Sequence, residues 1–448
     1  MRTTRHPLRT TALLLGLAVA GTVIPAADPP PSRDAVLAAL RPYDGPSVKG
    51  VDTSTLTGKV TCGYQGWFTT PDDGAGLGWR HYGRRGQFRP GNANIDLWPD
   101  TSELADDEKV ATAFRHADGR TAYVFSAHNR PTVLRHFRWM QEYGIDVAFV
   151  QRFAVETFDP RNLRHCNTVL SHCREGANRT GRGYAVMYDL SGLREGGTKQ
   201  VIADWKALRD RMKIGKDKND PAYLRHQNKP VVAVWGIGFN DGRRYTLAGC
   251  EQLIDFLAHD PEYGGCAVMV GVPTGWRTLD TDAVRDKELL RIVGKADIVS
   301  PWTVGRYATL PQVDGHARRR WEPDQRWCNE RGKAYLPVVF PGFSWHNMRP
   351  ASPLDQIPRQ KGRFLWKQYV AAKAAGATMI YQAMFDEMDE GTAIFKCTDD
   401  PPVGASQFLT LDGLPSDHYL WLTGMGGKLL RGEIPASADP PARPVKSR

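Results

Sequence analysis

Four carboxylates occur within five residues near the end of the chain, at Asp386, Glu387, Asp389 and Glu390. They directly follow the apolar run Ala377–Phe385, which is typical of a buried strand, so the cluster should lie at a desolvated site rather than on a solvated loop. Like charges at such a site raise one another's pKa, so one carboxyl stays protonated as an acid while another acts as a base or nucleophile. Hydrolysis of a glycosidic bond needs such a pair.

Metal binding is the competing interpretation of the same cluster, because clustered Asp and Glu supply the oxygen ligands that Ca²⁺ and Mg²⁺ prefer. The alternating D-x-D-x-D-G pattern of a calcium loop is absent from this segment. The sequence therefore predicts a metal-free site.

Aromatic and polar residues recur just after the apolar runs. Repeated Trp and Tyr beside Asp, His and Asn suit a carbohydrate cleft, because sugar rings stack their C–H faces on aromatic rings while their hydroxyls need polar partners. The alternatives are packing between barrel elements and stacking of a heterocyclic ligand. The residues predicted to contact substrate are Tyr64, His81, Asp189, Trp302, Trp345, His346 and Asp386.

The elements that must position these residues alternate between short apolar runs and amphipathic stretches, which indicates successive βα units and a parallel sheet. Eight parallel strands with intervening helices, such as Thr132–Tyr143 and Phe364–Ala375, predict a single elaborated (β/α)₈ barrel with its active site at the carboxyl ends of the strands. The predicted strands are Val60–Phe68, Ile145–Phe153, Gly183–Leu190, Pro230–Gly236, Cys266–Val272, Asp297–Pro301, Ala334–Phe340 and Ala377–Phe385.

Two further features qualify the barrel. A doubly wound sheet is the alternative fold, but no strand leads into a G-x-G-x-x-G loop, so no dinucleotide site is expected. The run Thr121–Ala127, preceded by the turn residues 116–119, predicts a hairpin that is inserted after the first strand and covers the barrel mouth.

The segment from Phe385 to Thr392 resembles the Trp-Asn-Glu-Trp-His-Glu-Gly-Thr motif of glycoside hydrolase family 99, which is related to family 71. Both Glu and the Gly-Thr match, whereas the two Trp, the Asn and the His are replaced. The wider group, whose bacterial members are often labelled xylosidase or arabinosidase, is also resembled at Tyr188–Gly192, Ser300–Trp302 and Pro341–Trp345.

The resemblance implies a cofactor-free barrel that cleaves α-linked glycosidic bonds with retention, through participation of the sugar's own 2-hydroxyl. It implies that Glu387 is the base for that hydroxyl and that Glu390 is the acid/base on the departing oxygen. Asp386 and Asp389 add negative charge where the motif has Asn and His, which should raise the pKa of the neighbouring carboxyls. A carbohydrate-binding protein on a degenerate barrel and a metal-dependent hydrolase or lyase remain alternatives.

Both ends of the chain are predicted to lie outside the barrel, which spans 51–434. Arg2, Arg5 and Arg9 precede an apolar stretch too short for a secure membrane span, so residues 1–27 are predicted to be a secretory signal peptide and the protein to be periplasmic or extracellular. Residues 28–50 are predicted to be a linker and 435–448 a disordered tail. No stable membrane insertion is expected.

The charge of the chain does not by itself indicate a polyanionic partner. The formal net charge is +10, but the basic residues are spread along the chain without a binding motif, so a nucleic-acid partner is not expected. The expected partner is a carbohydrate.

Of the seven Cys, Cys166 and Cys173 recur with apolar residues at helical spacing. Seven residues of helix place them about 10 Å apart, which is too far for a disulfide between them. Since the number is odd, at least one Cys must stay outside intramolecular pairing.

Overall fold

The computed structural model describes residues 31–444, in which eight parallel strands form a barrel. All eight strands were predicted, with bounds that differ by a few residues at their ends. The strands are Val60–Tyr64, Val147–Phe153, Gly183–Asp189, Lys229–Trp235, Ala267–Val272, Ile298–Pro301, the interrupted pair Ala334–Tyr335 and Val338–Val339, and Ile380–Gln382. The predicted signal peptide lies outside the described residues.

The seventh strand closes the barrel in two halves. Ala334–Tyr335 pairs with the sixth strand, whereas Val338–Val339 pairs with the eighth, and Pro337, which has no N–H to donate, lies between the halves. The eighth strand in turn pairs with the first, with Val60 beside Ile380. The eighth strand thus pairs with the first, and the two halves of the seventh strand connect the sixth strand to the eighth, so the sheet closes into a barrel. The predicted (β/α)₈ fold is confirmed.

Each barrel strand is followed by at least one helix. Helix Arg130–Tyr143 has Pro at its start and ends at Gly144, whose φ of 72° suits a glycine C-cap. The other helices of the barrel are Pro160–Thr180, Thr198–Ala207, Leu247–His259, Glu288–Val293, Leu310–His316, Glu322–Glu330, Arg363–Ala374 and His418–Arg431, with short helical turns at Arg84–Gly86, Ala154–Phe158, Leu208–Met212, Ala317–Trp321 and Gln360–Gly362. No helix of residues 31–444 is long and apolar enough to cross a membrane.

Side chains alternate between the barrel interior and the helices, as the pleat of a strand requires. Inside, Phe149 packs on Tyr381 with ring centroids 5.7 Å apart, and the Tyr381 hydroxyl lies 3.5 Å from the Met187 sulfur. Gly63 also faces inward, because a Cβ there would meet Met384 and Tyr381. This register decides which side chains after each strand reach the barrel mouth.

The long segment between the first strand and helix Arg130–Tyr143 contains the predicted hairpin. Val110–Arg115 and Thr121–Val124 pair antiparallel, and the turn between them lies at the predicted residues. The inner face of the hairpin packs Phe114 on Trp98 at 5.1 Å, so the hairpin is fixed to the segment that precedes it.

The segments predicted to flank the barrel carry contacts of their own. Helix Arg33–Ala38 lies within the predicted linker, and its Val36 is buried. At the other end, the Trp366 indole donates to the Ser437 carbonyl and Arg443 pairs with Asp417, so residues 435–444 contact the barrel helices. All seven Cys are buried and unpaired, Cys166 and Cys173 among them on helix Pro160–Thr180.

Candidate active site

The loop that carries the four carboxylates leaves the eighth strand and is fastened to the end of the first. Asp386 accepts hydrogen bonds from the backbone N–H groups of Gln65 (2.7 Å) and Gly66 (2.8 Å), one on each carboxylate oxygen. Its side chain is almost completely buried, and burial raises its pKa to about 7. Asp386 therefore anchors the loop.

The far end of the loop is held by the segment after the seventh strand. The Ser344 N–H donates to the Glu390 carbonyl at 2.9 Å, and the buried Arg359 guanidinium donates to the carbonyls of Gly391 and Ala393. Gly391 has a φ of 63°, and a Cβ at this position would lie 2.8 Å from the Ser344 nitrogen. A glycine is thus required by both backbone conformation and space.

Glu387 is buried with both carboxylate oxygens bonded. The Gln65 side-chain amide donates to Oε1 and the Thr392 hydroxyl to Oε2, each at 2.6 Å. Burial, then the charges of Glu390 and Asp389, raise the pKa of Glu387 well above its usual value, while the two donors oppose that rise. Hydrogen bonds from these donors stabilise the ionised form.

Glu390 is held differently. It is partly exposed, and no donor of residues 31–444 bonds its carboxylate. Burial raises the pKa of Glu390 to about 7, with the nearby charge of Asp389 adding to the rise and that of Arg349 opposing it. The two Glu thus differ in the way a pair with separate proton-transfer roles requires: one is fixed by donors, and the other is free to meet a ligand.

Asp389 faces an imidazole from another loop. Its Oδ2 lies 3.1 Å from Nδ1 of His81, and the His81 ring stacks flat on Trp67, with centroids 3.9 Å apart and planes 4° from parallel. Trp67 in turn stacks on Phe153, at the end of the second strand. A carboxylate on Nδ1 fixes the orientation of the ring and favours the proton on that nitrogen.

The third and fourth strands supply one wall of the mouth. Asp189 and Trp235 are paired residues at the strand ends, and both face inward by the alternation of the pleat. Burial raises the pKa of Asp189 to about 6, and its charge reaches Glu390 across the barrel. Trp235 meets Trp302, after the sixth strand, edge to face at 5.4 Å, and Gly271 leaves the space that its ring occupies.

The opposite wall comes from the segment after the seventh strand. Trp345 and His346 are both partly exposed, and the guanidinium of Arg349 lies 4.5 Å above the Trp345 ring. The buried Asp96 shapes this segment by accepting from the Ser344 hydroxyl and from the backbone N–H groups of His346 and Asn347. Five predicted residues therefore come from the ends of barrel strands or from the segments that follow them: His81, Asp189, Trp302, Trp345 and His346. Of these, His81 contacts Asp389 in the carboxylate loop, and the charge of Asp189 acts on Glu390.

Two predicted contact residues do not face the mouth. Tyr64 is fully buried on the outside of the first strand, where its hydroxyl bonds Nδ1 of His136 at 2.9 Å. The prediction overlooked the alternation of the pleat, which points Tyr64 outward and its neighbour Gln65 inward. Both carboxylate oxygens of Asp386 accept hydrogen bonds from backbone N–H groups, so Asp386 positions the loop and has no free oxygen directed at a substrate.

Other residues of the site were missed. Gln65 and Trp235 could have been found from the inward register of the first and fourth strands, and Trp67 from its place beside them. Asp96 and Arg349 lie in irregular segments, where no periodicity marks them. Among residues 31–444 no group of three or more His, Cys, Asp or Glu is arranged to hold a metal ion.

Comparisons with known proteins agree with this architecture. Residues 296–428, which include the carboxylate loop, match the model of glycosyl hydrolase family 99. The curated proteins include no match to the chain.

Solved structures with the same fold include the family 99 endo-α-mannosidase of Bacteroides thetaiotaomicron. It is similar with a TM-score of 0.61 and 18% identity in its complex with bis-tris propane, and with 0.58 and 17% in a second structure; each covers 84% of this chain and 99% of the other. A glycoside hydrolase-like protein matches with a TM-score of 0.51 and 14% identity over 86% of this chain and 97% of its own.

The family-model match falls on the segment that carries the Glu pair, and the fold is that of the family 99 enzymes. The resemblance predicted from the carboxylate motif is therefore confirmed for this segment of the chain. Residues 296–428 are thus similar to glycosyl hydrolase family 99, and the fold is similar to that of a family 99 endo-α-mannosidase.

Proposed function

We propose that this protein is a secreted retaining glycosidase that cleaves α-linked bonds in a polysaccharide or glycan, with Glu387 and Glu390 as its catalytic carboxyls. One observation carries the proposal: two carboxyls on one loop, Glu387 buried and Glu390 partly exposed, both have a raised pKa but differ in their hydrogen bonding. Glu387 receives two donors, whereas Glu390 receives none from residues 31–444. Export rests on the basic and apolar start of the chain, and N-terminal sequencing of the exported protein checks it.

In the first step Glu390 gives its proton to the departing glycosidic oxygen. Glu387 takes the proton of the sugar's 2-hydroxyl, whose oxygen attacks the anomeric carbon as the glycosidic bond breaks. Because coupled carboxyls share protons, the reactive state has its proton on Glu390 and none on Glu387. The Gln65 and Thr392 donors favour that distribution, since they stabilise the ionised form of Glu387.

In the second step the roles reverse. Glu390, now ionised, takes a proton from a water molecule that attacks the anomeric carbon, and Glu387 returns its proton to the 2-oxygen. Two displacements at one carbon restore its original configuration. Asp189, Trp235, Trp302 and Trp345 supply the aromatic and polar surfaces on which the sugar rings lie.

A carbohydrate-binding protein without turnover is the alternative, and it is motivated by the replacement of the two Trp and the His of the motif. The His position holds Asp389, which bonds His81. The Trp positions hold apolar residues. These replacements, Phe385 and Met388, are both fully buried. The substitutions therefore change packing beneath the loop, whereas both Glu and the Gly-Thr turn remain. This favours an active enzyme.

The test compares Glu387→Gln and Glu390→Gln with Glu142→Gln, a matched change on an exposed helix position. Assays use α-mannans, α-glucans and arabinoxylans with analysis of the products. Each site variant should lose roughly 10²–10⁴-fold in turnover, the usual contribution of acid–base groups, while remaining folded. Turnover retained by Glu390→Gln contradicts the assignment, and binding without products in the unmodified protein favours the alternative.

A further inference from the structure

A second pocket opens beside the hairpin and shares no lining residue with the mouth. Its volume is about 480 Å³, within the range of roughly 300–1,000 Å³ that small-ligand sites occupy. Three segments form it: 98–102, the hairpin from His116 to Tyr123, and Thr398–Asp400. The mechanism proposed above makes no use of this pocket.

The pocket lies on the same face of the barrel as the carboxylates. The hairpin belongs to the insertion after the first strand, and Thr398–Asp400 follows the eighth, so both leave the carboxyl ends of barrel strands. Two backbone hydrogen bonds tie the pocket to the chain that continues from the carboxylate loop: Asp100 N–H donates to Lys396, and Thr398 N–H to Trp98. A polymer that is bound at the mouth and extends along this face of the barrel can therefore also reach the pocket.

Tyr123 gives the pocket an uncovered aromatic ring. Along the strand Thr121–Val124 burial alternates, so that Ala122 and Val124 face the core while Tyr123 faces outward. The residue directly across the hairpin is the exposed Ala111, whose methyl group is too small to cover the ring. Tyr123 is 37% exposed, one of few large apolar side chains of residues 31–444 left in solvent.

Donors and acceptors with solvent-exposed side chains line the pocket beside this ring. The Arg120 guanidinium pairs with Asp400 at 3.1 Å, and Nδ1 of His116 lies 3.7 Å from the same carboxylate. The hydroxyls of Thr101, Ser102 and Thr121 complete the lining. Sugar hydroxyls both donate and accept, so they need such a mixture, and the apolar face of a pyranose ring stacks on an exposed aromatic.

We propose that this pocket, named here the hairpin site, is a second carbohydrate-binding site that holds a distant part of the same polysaccharide chain that the mouth cleaves. The ligand class rests on the proposed function. The site takes neutral sugar units, with one ring on Tyr123 and hydroxyls on Arg120 and Asp400. It retains a long substrate near the mouth and contributes nothing to bond cleavage.

The experiment measures polysaccharide binding in the Glu390→Gln protein by affinity electrophoresis through soluble α-mannan, α-glucan and arabinoxylan. Adding Tyr123→Ala should weaken retention by about tenfold, the effect of losing one aromatic stack. Tyr123→Phe keeps the ring and should bind like the parent. Phe158→Ala removes another exposed aromatic, which does not line the hairpin site, and serves as the matched control.

Retention unchanged by Tyr123→Ala overturns the hairpin site, as does an equal loss in Tyr123→Phe or Phe158→Ala. A parent protein retained by none of the gels overturns it as well. Melting temperatures of all variants, compared with the parent, distinguish loss of binding from loss of folding. Failure of the proposed function is recognised separately, because it is a lack of products from the unmodified enzyme, whereas the hairpin site is judged by retention alone.

Discussion

At the scale of single residues, this site differs from the family motif by its charge. Asp389 stands where the motif has His, and an imidazole is supplied instead by His81 from the insertion after the first strand. His81 bonds Asp389 and stacks on Trp67, so the two residues are held together from both sides. The charge of Asp389 raises the pKa of both Glu387 and Glu390.

Replacing Asp389 by Asn tests this electrostatic role. Asn keeps an oxygen for Nδ1–H of His81 but removes the charge, so the pKa of Glu390, about 7, should fall together with that of Glu387. Glu390 must be protonated and Glu387 ionised at the start of the reaction, so both limbs of the kcat/KM profile should move to lower pH. Asp106→Asn, at a fully exposed site, should leave the profile in place; a shift to higher pH would contradict the account.

Residue types after apolar runs could be predicted from sequence, whereas their directions could not without the register. The Glu pair was located because its loop follows directly on a buried strand. Tyr64 was predicted to face the mouth, whereas its neighbour Gln65 does so. Adjacent residues of a strand face opposite sides, and an apolar run does not indicate which side lies inside the barrel. Asp386 was predicted to contact substrate. Its two backbone donors come from residues more than three hundred positions earlier, so the sequence could not show that both of its oxygens are already bonded.

At the scale of elements, the carboxylate loop depends on the segment after the seventh strand. The Ser344 N–H bonds the Glu390 carbonyl, and Ser344 is itself held by Asp96. The strands were predictable because buried parallel strands are continuous apolar runs. The interruption of the seventh strand at Leu336–Pro337 and the contacts of Asp96 were not, because they arise from the closure of the barrel and from irregular chain.

Gly391→Ala tests how closely the loop must be held. The positive φ costs a non-glycine residue about 1–2 kcal/mol, and the new Cβ would also press on the Ser344 backbone. Gly432→Ala is the matched control, with a φ of 76° and nothing within 4 Å of the added Cβ. Both variants should lose stability in urea unfolding, but only Gly391→Ala should lose most of its turnover. Equal turnover in the two would show that the loop tolerates displacement.

At the scale of the whole molecule, the barrel is stabilised by its core rather than by cross-links. Seven Cys in a protein predicted to be exported suggested disulfides, yet all seven are buried singly among apolar and polar neighbours. Cys is among the residue types most often buried, and here it fills core space as a small apolar side chain.

The unpaired cysteines give a prediction for the intact protein. Thiol titration in denaturant without reductant should find seven reactive groups, and a reductant should leave the melting temperature unchanged. The folded protein should react slowly, because burial raises the pKa of thiols such as Cys250 and Cys397, each to about 12. Fewer than seven thiols, or a lower melting temperature in reductant, would contradict the structure.

The Glu387 and Glu390 pair is proposed to cleave an α-linked glycosidic bond with retention. The most direct test is the anomeric configuration of the first product, followed by proton NMR during early turnover, before mutarotation. Retention predicts that the α-anomer forms first and that Glu390→Gln forms it far more slowly. A first product in the β-configuration would contradict the retaining mechanism and the roles assigned to both residues.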